Sequence, residues 1–104
     1  MANFLLTYHG GSMPLTKEDQ DRVMRAWTDW FAKLGDRLID GGNPVSRVRS
    51  VAPDRTVTDS VDNPPTGYSI ISSDTIDGAV DLAKGCPVLD DGATIQVAET
   101  FGVM

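Results

Sequence analysis

The chain has 104 residues, with nine lysines and arginines against fifteen aspartates and glutamates, and a formal net charge of −6 at pH 7. A chain of this length supports one domain with one core, and its negative charge argues against a nucleic-acid partner, because phosphates attract basic surfaces. No apolar run approaches the roughly 20 residues that a membrane-spanning helix needs, and a single cysteine permits no disulfide within the chain. We therefore expect one domain over residues 1–104 in the cytoplasm, with no membrane or nucleic-acid partner.

The first predicted element is a strand over residues 3–9, where side chains alternate between two faces. One face carries Phe4, Leu6 and Tyr8, and the other carries Leu5, Thr7 and His9. Because both sets contain apolar residues, both faces of this strand are expected to be covered. A Gly-Gly turn then ends the strand.

A long helix is predicted over residues 16–35. Thr16 is a favourable N-cap, and Gly35 suits the left-handed position that commonly follows a helix. The apolar residues recur at helical spacing and form one broad stripe, which consists of Val23, Trp27, Trp30, Phe31 and Leu34. A stripe with so many aromatic rings is expected to pack on a β-sheet.

Turn residues divide the rest of the chain into short elements. Two consecutive prolines make residues 59–66 a loop, since proline is excluded from the interior of a sheet or helix. The second helix is expected to begin at a Ser73 or Asp74 cap and to end at Gly85. The remaining expected elements are a strand from Leu38, an extended edge over 45–51, a turn at Pro53-Asp54, an edge strand or hairpin arm over 55–58, and strands over 67–73 and 94–98.

This order of elements is typical of an α+β, ferredoxin-like fold built from split β-α-β units. Such a fold places both helices on one face of an antiparallel sheet. The other face still carries apolar side chains from the first strand, with help from Tyr68 or Ile71. Because a monomer would expose that apolar face to water, we predict a face-to-face homodimer.

Four stretches of the sequence together resemble the YCII-related domain family. They are Tyr-His-Gly-Gly at 8–11, the helix with Trp27 and Trp30, Asp-Gly-Gly-Asn-Pro at 40–44, and Gly-Tyr-Ser-Ile-Ile at 67–71 followed by Ala-Lys-Gly-Cys-Pro at 83–87. The resemblance covers nearly the whole chain and implies a ferredoxin-like dimeric α/β barrel. Some relatives resemble lyase-type or dehydrochlorinase enzymes that act on small hydroxylated rings through a His–Asp pair. In the YciI-like branch that histidine lies on the first helix, which contains none here, so the pair is not carried over.

His9 is the only histidine and the first candidate for acid/base chemistry. The alternative is a structural histidine that bonds a backbone carbonyl or water at the end of its strand. Asp36 and Asp40 are candidates to orient or charge-pair with His9. Their structural alternatives are a solvated residue after the helix and a turn residue before glycine.

Three further side chains are candidates to bind a ligand: Tyr68, Ser69 and Asn43. The alternatives are packing in a core or dimer interface for Tyr68 and turn chemistry for Asn43. Cys86 follows the second helix and is expected to be a buried structural thiol. We predict no metal and no cofactor, because the sequence has no ligand spacing such as CxxC or HExxH and no GxGxxG loop.

The arginines at 47, 49 and 55 form a small basic stretch. It suits either an anionic ligand or partner, or a solvated strand edge that discourages aggregation. Two functions remain open for the whole chain. One is a small cofactor-free lyase, dehydrochlorinase or isomerase, in which His9 moves a proton on a small hydroxylated ring compound. The other is a non-catalytic dimer that binds a small molecule or another protein.

Overall fold

The computed structural model describes residues 1–103, and within that range it contains six strands and two α-helices. Short 3₁₀ turns at Gly35–Arg37 and Pro87–Asp91 follow the two helices. In chain order the elements are β1 Ala2–Gly10, α1 Lys17–Leu34, β2 Leu38–Asp40, β3 Ser50–Val51, β4 Val57–Thr58, β5 Pro65–Ser73, α2 Ile76–Ala83 and β6 Ala93–Glu99.

Four of the strands form one sheet in the order β2-β5-β1-β6, with every neighbouring pair antiparallel. α1 links β1 to β2, which have β5 between them, and α2 links β5 to β6, which have β1 between them. This arrangement confirms the predicted α+β class and is compatible with the ferredoxin-like order of strands. No helix in residues 1–103 is long and apolar enough to cross a membrane.

α1 forms where its caps and apolar stripe predict it. The Thr16 hydroxyl oxygen accepts a hydrogen bond from the Asp19 backbone N–H at 3.1 Å, and Gly35 has a φ of +55°. On the stripe, Trp30 and Leu34 are buried, whereas the other members are partly buried. The Trp27 ring meets the Tyr8 ring edge-on, with 5.7 Å between ring centroids. Aromatic packing therefore joins α1 to the middle of the sheet.

One core lies between the sheet and both helices. Opposite residues of an antiparallel pair share a face, and Phe4 lies opposite Ile71 while Leu6 lies opposite Ser69. The buried residues of this core are Phe4, Leu6, Tyr8, Trp30, Leu34, Ile71, Ala79, Ala83 and Cys86. Since α1 and α2 both contribute to it, the two helices lie on the same face of the sheet, as predicted.

The other face of the sheet has no helix over it, and we call it the open face. Its members alternate with the core residues along the strands, and they are Leu5, Thr7, His9, Tyr68, Ile70, Thr94, Gln96 and Ala98. The molecule measures 44 × 39 × 18 Å, so its shortest dimension holds one sheet and one helical layer. Its radius of gyration is 15.1 Å, whereas a compact domain of this length has about 13 Å.

Three predicted boundaries are wrong. Residues 45–49 are irregular, and only Ser50–Val51 forms a strand, which pairs with Val57–Thr58 away from the main sheet. β5 begins inside the predicted loop, at Pro65, because proline is tolerated as the first residue of a strand. Thr75 caps α2 in place of Ser73 or Asp74, since Ser73 still pairs with Ala2 in the sheet.

Candidate functional site

His9 lies near the end of β1 on the open face and uses both ring nitrogens. Nδ1 lies 2.9 Å from the Asn63 carbonyl oxygen, and Nε2 lies 2.8 Å from the Thr7 hydroxyl oxygen. A carbonyl only accepts hydrogen bonds, so Nδ1 carries a proton, whereas the Thr7 hydroxyl is able to donate to Nε2 or to accept from it. Both ring nitrogens therefore hold the His9 side chain in one orientation, at 9% exposure.

The structure does not bring the two candidate aspartates to His9. Asp40 Oδ1 accepts a hydrogen bond from the Gly42 backbone N–H at 2.8 Å, which is the turn role considered for it. Asp40 aligns with Ile70 of β5, whereas His9 aligns with Pro65. Five residues along a strand separate them by roughly 16 Å. Asp36 is exposed in the 3₁₀ turn after α1.

The three candidate ligand-binding residues are separated by the sheet. Tyr68 is half-buried on the open face, directly opposite Thr7, so it shares a surface with His9. Ser69 points to the other face and is fully buried in the core. Asn43 is exposed, and its carbonyl oxygen accepts a hydrogen bond from the Tyr68 backbone N–H at 3.3 Å. Only Tyr68 among the three lies on the same face as His9.

Ser69 belongs to a buried polar chain under α1. The Tyr8 hydroxyl donates to Ser69 Oγ at 2.7 Å, and the Ser69 hydroxyl donates to the Gly41 carbonyl oxygen at 2.8 Å. Burial raises the pKa of Tyr8 above its ordinary value and raises the pKa of the Cys86 thiol to about 11. These groups are consequently neutral at physiological pH, and their hydrogen bonds serve the packing of the core.

Thr7 and Asn63 are the site residues that the sequence analysis missed. Thr7 had a detectable signal, because residues two apart on a strand share a face and Thr7 stands two before His9. The sequence signal for Asn63 was weak, and consisted of an asparagine before a proline. In the structure Asn63 adopts a φ of +47°, a conformation that asparagine tolerates better than most residues. Its contact with His9 spans 54 residues, so it depends on the register of β1 against β5.

Among the depressions on the surface of residues 1–103 are two that His9 does not line. One, of about 470 Å³, lies between the start of β1 and the end of β6, beside Asn3, Glu99 and Phe101. The other, of about 210 Å³, lies beneath residues 45–48 and includes Val61 and Pro64. No group of three His, Cys, Asp or Glu side chains in residues 1–103 is placed to hold a metal ion.

The arrangement around His9 can bind and transfer protons. Nε2 is able to exchange a proton with the Thr7 hydroxyl that contacts it, and the Tyr68 hydroxyl is able to donate to an oxygen atom of a ligand. No family model matches this chain, and no curated protein matches it significantly. What the site does must therefore be argued from its own residues.

Proposed function

We propose that this chain is a ferredoxin-like domain of the YCII-related type that works as a homodimer and binds a small molecule. Two copies pair their open faces and form a dimeric α/β barrel. The observation that carries the proposal is the open face itself. Leu5 lies directly opposite Ile70 on its two central strands, where a monomer would leave both side chains facing water.

The area of the open face supports this pairing. Strands about 4.8 Å apart that rise about 3.3 Å per residue give this sheet a face of roughly 450 Å² per copy. A standard protein–protein interface buries about 800 Å² per partner. The sheet thus supplies more than half of such an interface, and the neighbouring loops supply the rest.

The ligand is placed at the His9 end of the paired faces. His9, Thr7 and Tyr68 lie next to one another there, and a second copy would screen them from water. The hydroxyls and the imidazole are suited to the oxygen atoms of a small hydroxylated ring compound, the ligand class that the family resemblance implies. A non-catalytic dimeric binding domain requires nothing beyond these contacts.

Sedimentation tests the dimer. At micromolar concentration the wild type is expected to sediment at about twice its chain mass of 11.2 kDa. Ile70→Lys is expected to give a folded monomer, because a lysine remains hydrated on an open face but is buried without a partner when two faces meet. Ala32→Lys adds the same charge on the exposed side of α1 and should leave the dimer intact. A monomeric wild type, or a dimeric Ile70→Lys variant, would contradict the proposal.

Proton transfer by His9 is the second candidate function, and the geometry of the imidazole favours it. The Asn63 carbonyl fixes a proton on Nδ1, so Nε2, in contact with the Thr7 hydroxyl, is the atom that would exchange a proton with a substrate. A base that is held in one orientation next to hydroxyl groups suits an elimination or an isomerisation, and neither reaction requires a cofactor. In this case the bound ring compound is the substrate.

Ligand-induced stabilisation and turnover together separate the two functions. We would screen phenols, hydroxyquinols, lactones and carboxylic acids by thermal shift, where a ligand at 100 times its dissociation constant adds about 2.7 kcal/mol. Each compound that binds would then be followed by NMR for conversion. For an enzyme, His9→Ala should abolish conversion. Thr7→Val keeps the ring and its Asn63 contact, so it should retain part of the activity. If the wild type bound a compound but converted none, the enzyme function would be contradicted and the non-catalytic binding function would remain.

A further inference from the structure

Residues 50–58 form a hairpin apart from the main sheet, which we call the arm. Ser50 pairs with Thr58, and Val51 pairs with Val57. Opposite residues share a face and successive residues alternate, so one face of the arm carries both valines. Val51 is 65% exposed and Val57 is 50% exposed. The monomer therefore presents a cross-strand pair of valines to water.

The tip of the arm is held in a defined shape. The Ala52 N–H donates to the Thr56 carbonyl oxygen at 2.8 Å, and the Arg55 N–H donates to the Ala52 carbonyl oxygen at 2.8 Å. The Asp54 carboxylate accepts from both the backbone N–H and the hydroxyl of Thr56, at 3.0 and 2.7 Å. A free hairpin with such short strands is marginal in water. These turn contacts pre-organise the valine pair, which lowers the entropy lost on docking.

The base of the arm is attached to the sheet at the His9 end. An ion pair joins Arg49 to Asp59 across the two chain segments that lead into the arm. On one side the Val45 N–H donates to the Thr66 carbonyl oxygen at 3.0 Å. On the other side the Asn63 carbonyl accepts from the His9 ring, which belongs to the open face. The arm thus begins next to the surface that the proposed dimer buries.

The arm and the segment that leads into it are together basic, whereas the rest of the molecule is acidic. Residues 45–58 contain three arginines and one aspartate, a net charge of +2. Since the whole chain carries −6, the other 90 residues carry −8. A basic segment with an apolar pair is complementary to an acidic protein surface, and the body of a second copy is such a surface.

We propose that the arm of each copy packs its Val51–Val57 pair against the body of the other copy. This inference rests on the proposed face-to-face dimer. Paired sheets of roughly 450 Å² per copy fall short of the 800 Å² or so that is usual for a stable interface. The two arms supply the missing apolar contact, and Arg55 of each arm, with Arg47 in the segment before it, meets the acidic body of the partner.

The test compares dimer dissociation constants by sedimentation equilibrium. Val51→Thr/Val57→Thr preserves the shape and the β-branched character of both residues but makes them polar. We expect it to weaken the dimer about a hundredfold. Ser50→Thr/Thr58→Ser alters the opposite face of the same arm and should change the constant less than about threefold. Circular dichroism at a concentration where every variant is monomeric checks that the fold is unchanged.

A second measurement does not depend on any variant. In a mixed sample of isotope-labelled and unlabelled chains, NOEs from the Val51 and Val57 methyl groups to the unlabelled copy are expected. A dimer without such NOEs, and with an unchanged constant in the valine variant, would overturn the arm contact and leave the sheet-to-sheet dimer standing. A monomeric wild type would overturn both.

Discussion

Gly42→Ala is expected to prevent stable folding of this chain. Gly42 has a φ of +75°, and a Cβ atom there would lie 1.7 Å from the Tyr68 carbonyl oxygen and 2.6 Å from its carbon. Both contacts are with the backbone of β5, a central strand of the sheet, so no side-chain rotation relieves them. We expect a loss of more than about 4 kcal/mol, a large part of the 5–15 kcal/mol that stabilises a typical domain.

Gly10→Ala is the matched control for this effect. Gly10 has almost the same conformation, with a φ of +77°, but a Cβ atom there would meet nothing within 4 Å. It should cost only the strain of a left-handed alanine, about 1 kcal/mol. Urea unfolding followed by tryptophan fluorescence measures both. Equal losses in the two variants would show that the conformation alone, and not the close approach to Tyr68, makes glycine necessary at position 42.

Local signals in the sequence were sufficient to predict the long helix and the two central strands. Thr16 and Gly35 mark the ends of α1, and the spacing of Trp27, Trp30 and Leu34 marks its buried side. These features act within a few residues, so they are visible without tertiary structure. The order of elements then limited the sheet to few topologies.

Contacts between distant segments were not predictable in the same way. The alternation in β1 left open whether Leu6 or Leu5 would face the helices, because both sets contain apolar residues. The register of β1 against β5 decides which set faces the helices, because it places Leu6 opposite Ser69, which is fully buried. The turn at Pro53-Asp54 and a hairpin arm over 55–58, one of the two alternatives for that segment, were predicted from the sequence. The pairing of this segment with Val51, and the turn contacts of Asp54 and Ala52, were not visible in the alternation of residues 45–51.

The candidate site shows the same division. His9 was identified from its residue type and its place at a strand end, and the backbone carbonyl partner of the structural alternative is present. Its partners differ in kind from the candidates: Asp36 and Asp40 were considered, whereas the ring contacts a hydroxyl and a carbonyl. A carbonyl has no sequence signature, because every residue carries one. The choice between a structural and a catalytic His9 therefore depends on experiment.

Trp30→Ala is expected to cost about 3–5 kcal/mol of unfolding free energy, as large aromatic deletions in cores do. Trp30 is 3% exposed, and its indole N–H donates to the Leu82 carbonyl oxygen at 3.1 Å. Its ring lies 5.6 Å from that of Trp27 between centroids. A Cβ atom at Gly85 would lie 3.3 Å from the same ring. One side chain thus joins α1 to the end of α2, and its loss leaves a cavity and removes one of the donors to the Leu82 carbonyl oxygen, which keeps the Gly85 N–H at 3.2 Å.

Two further variants divide this effect into its parts, with circular dichroism as the probe because the number of tryptophans changes. Trp30→Phe keeps most of the packing but removes the indole donor to the Leu82 carbonyl, which keeps its bond from the Gly85 N–H, so we expect a loss of about 0.5–1.5 kcal/mol. Met24→Ala removes a side chain of α1 that is 67% exposed and should change stability by less than about 0.5 kcal/mol. If Trp30→Ala destabilised no more than Met24→Ala, the aromatic stripe would not be what holds α1 on the sheet. The stripe of α1 would then be a further apolar surface, besides the open face, for a partner to cover.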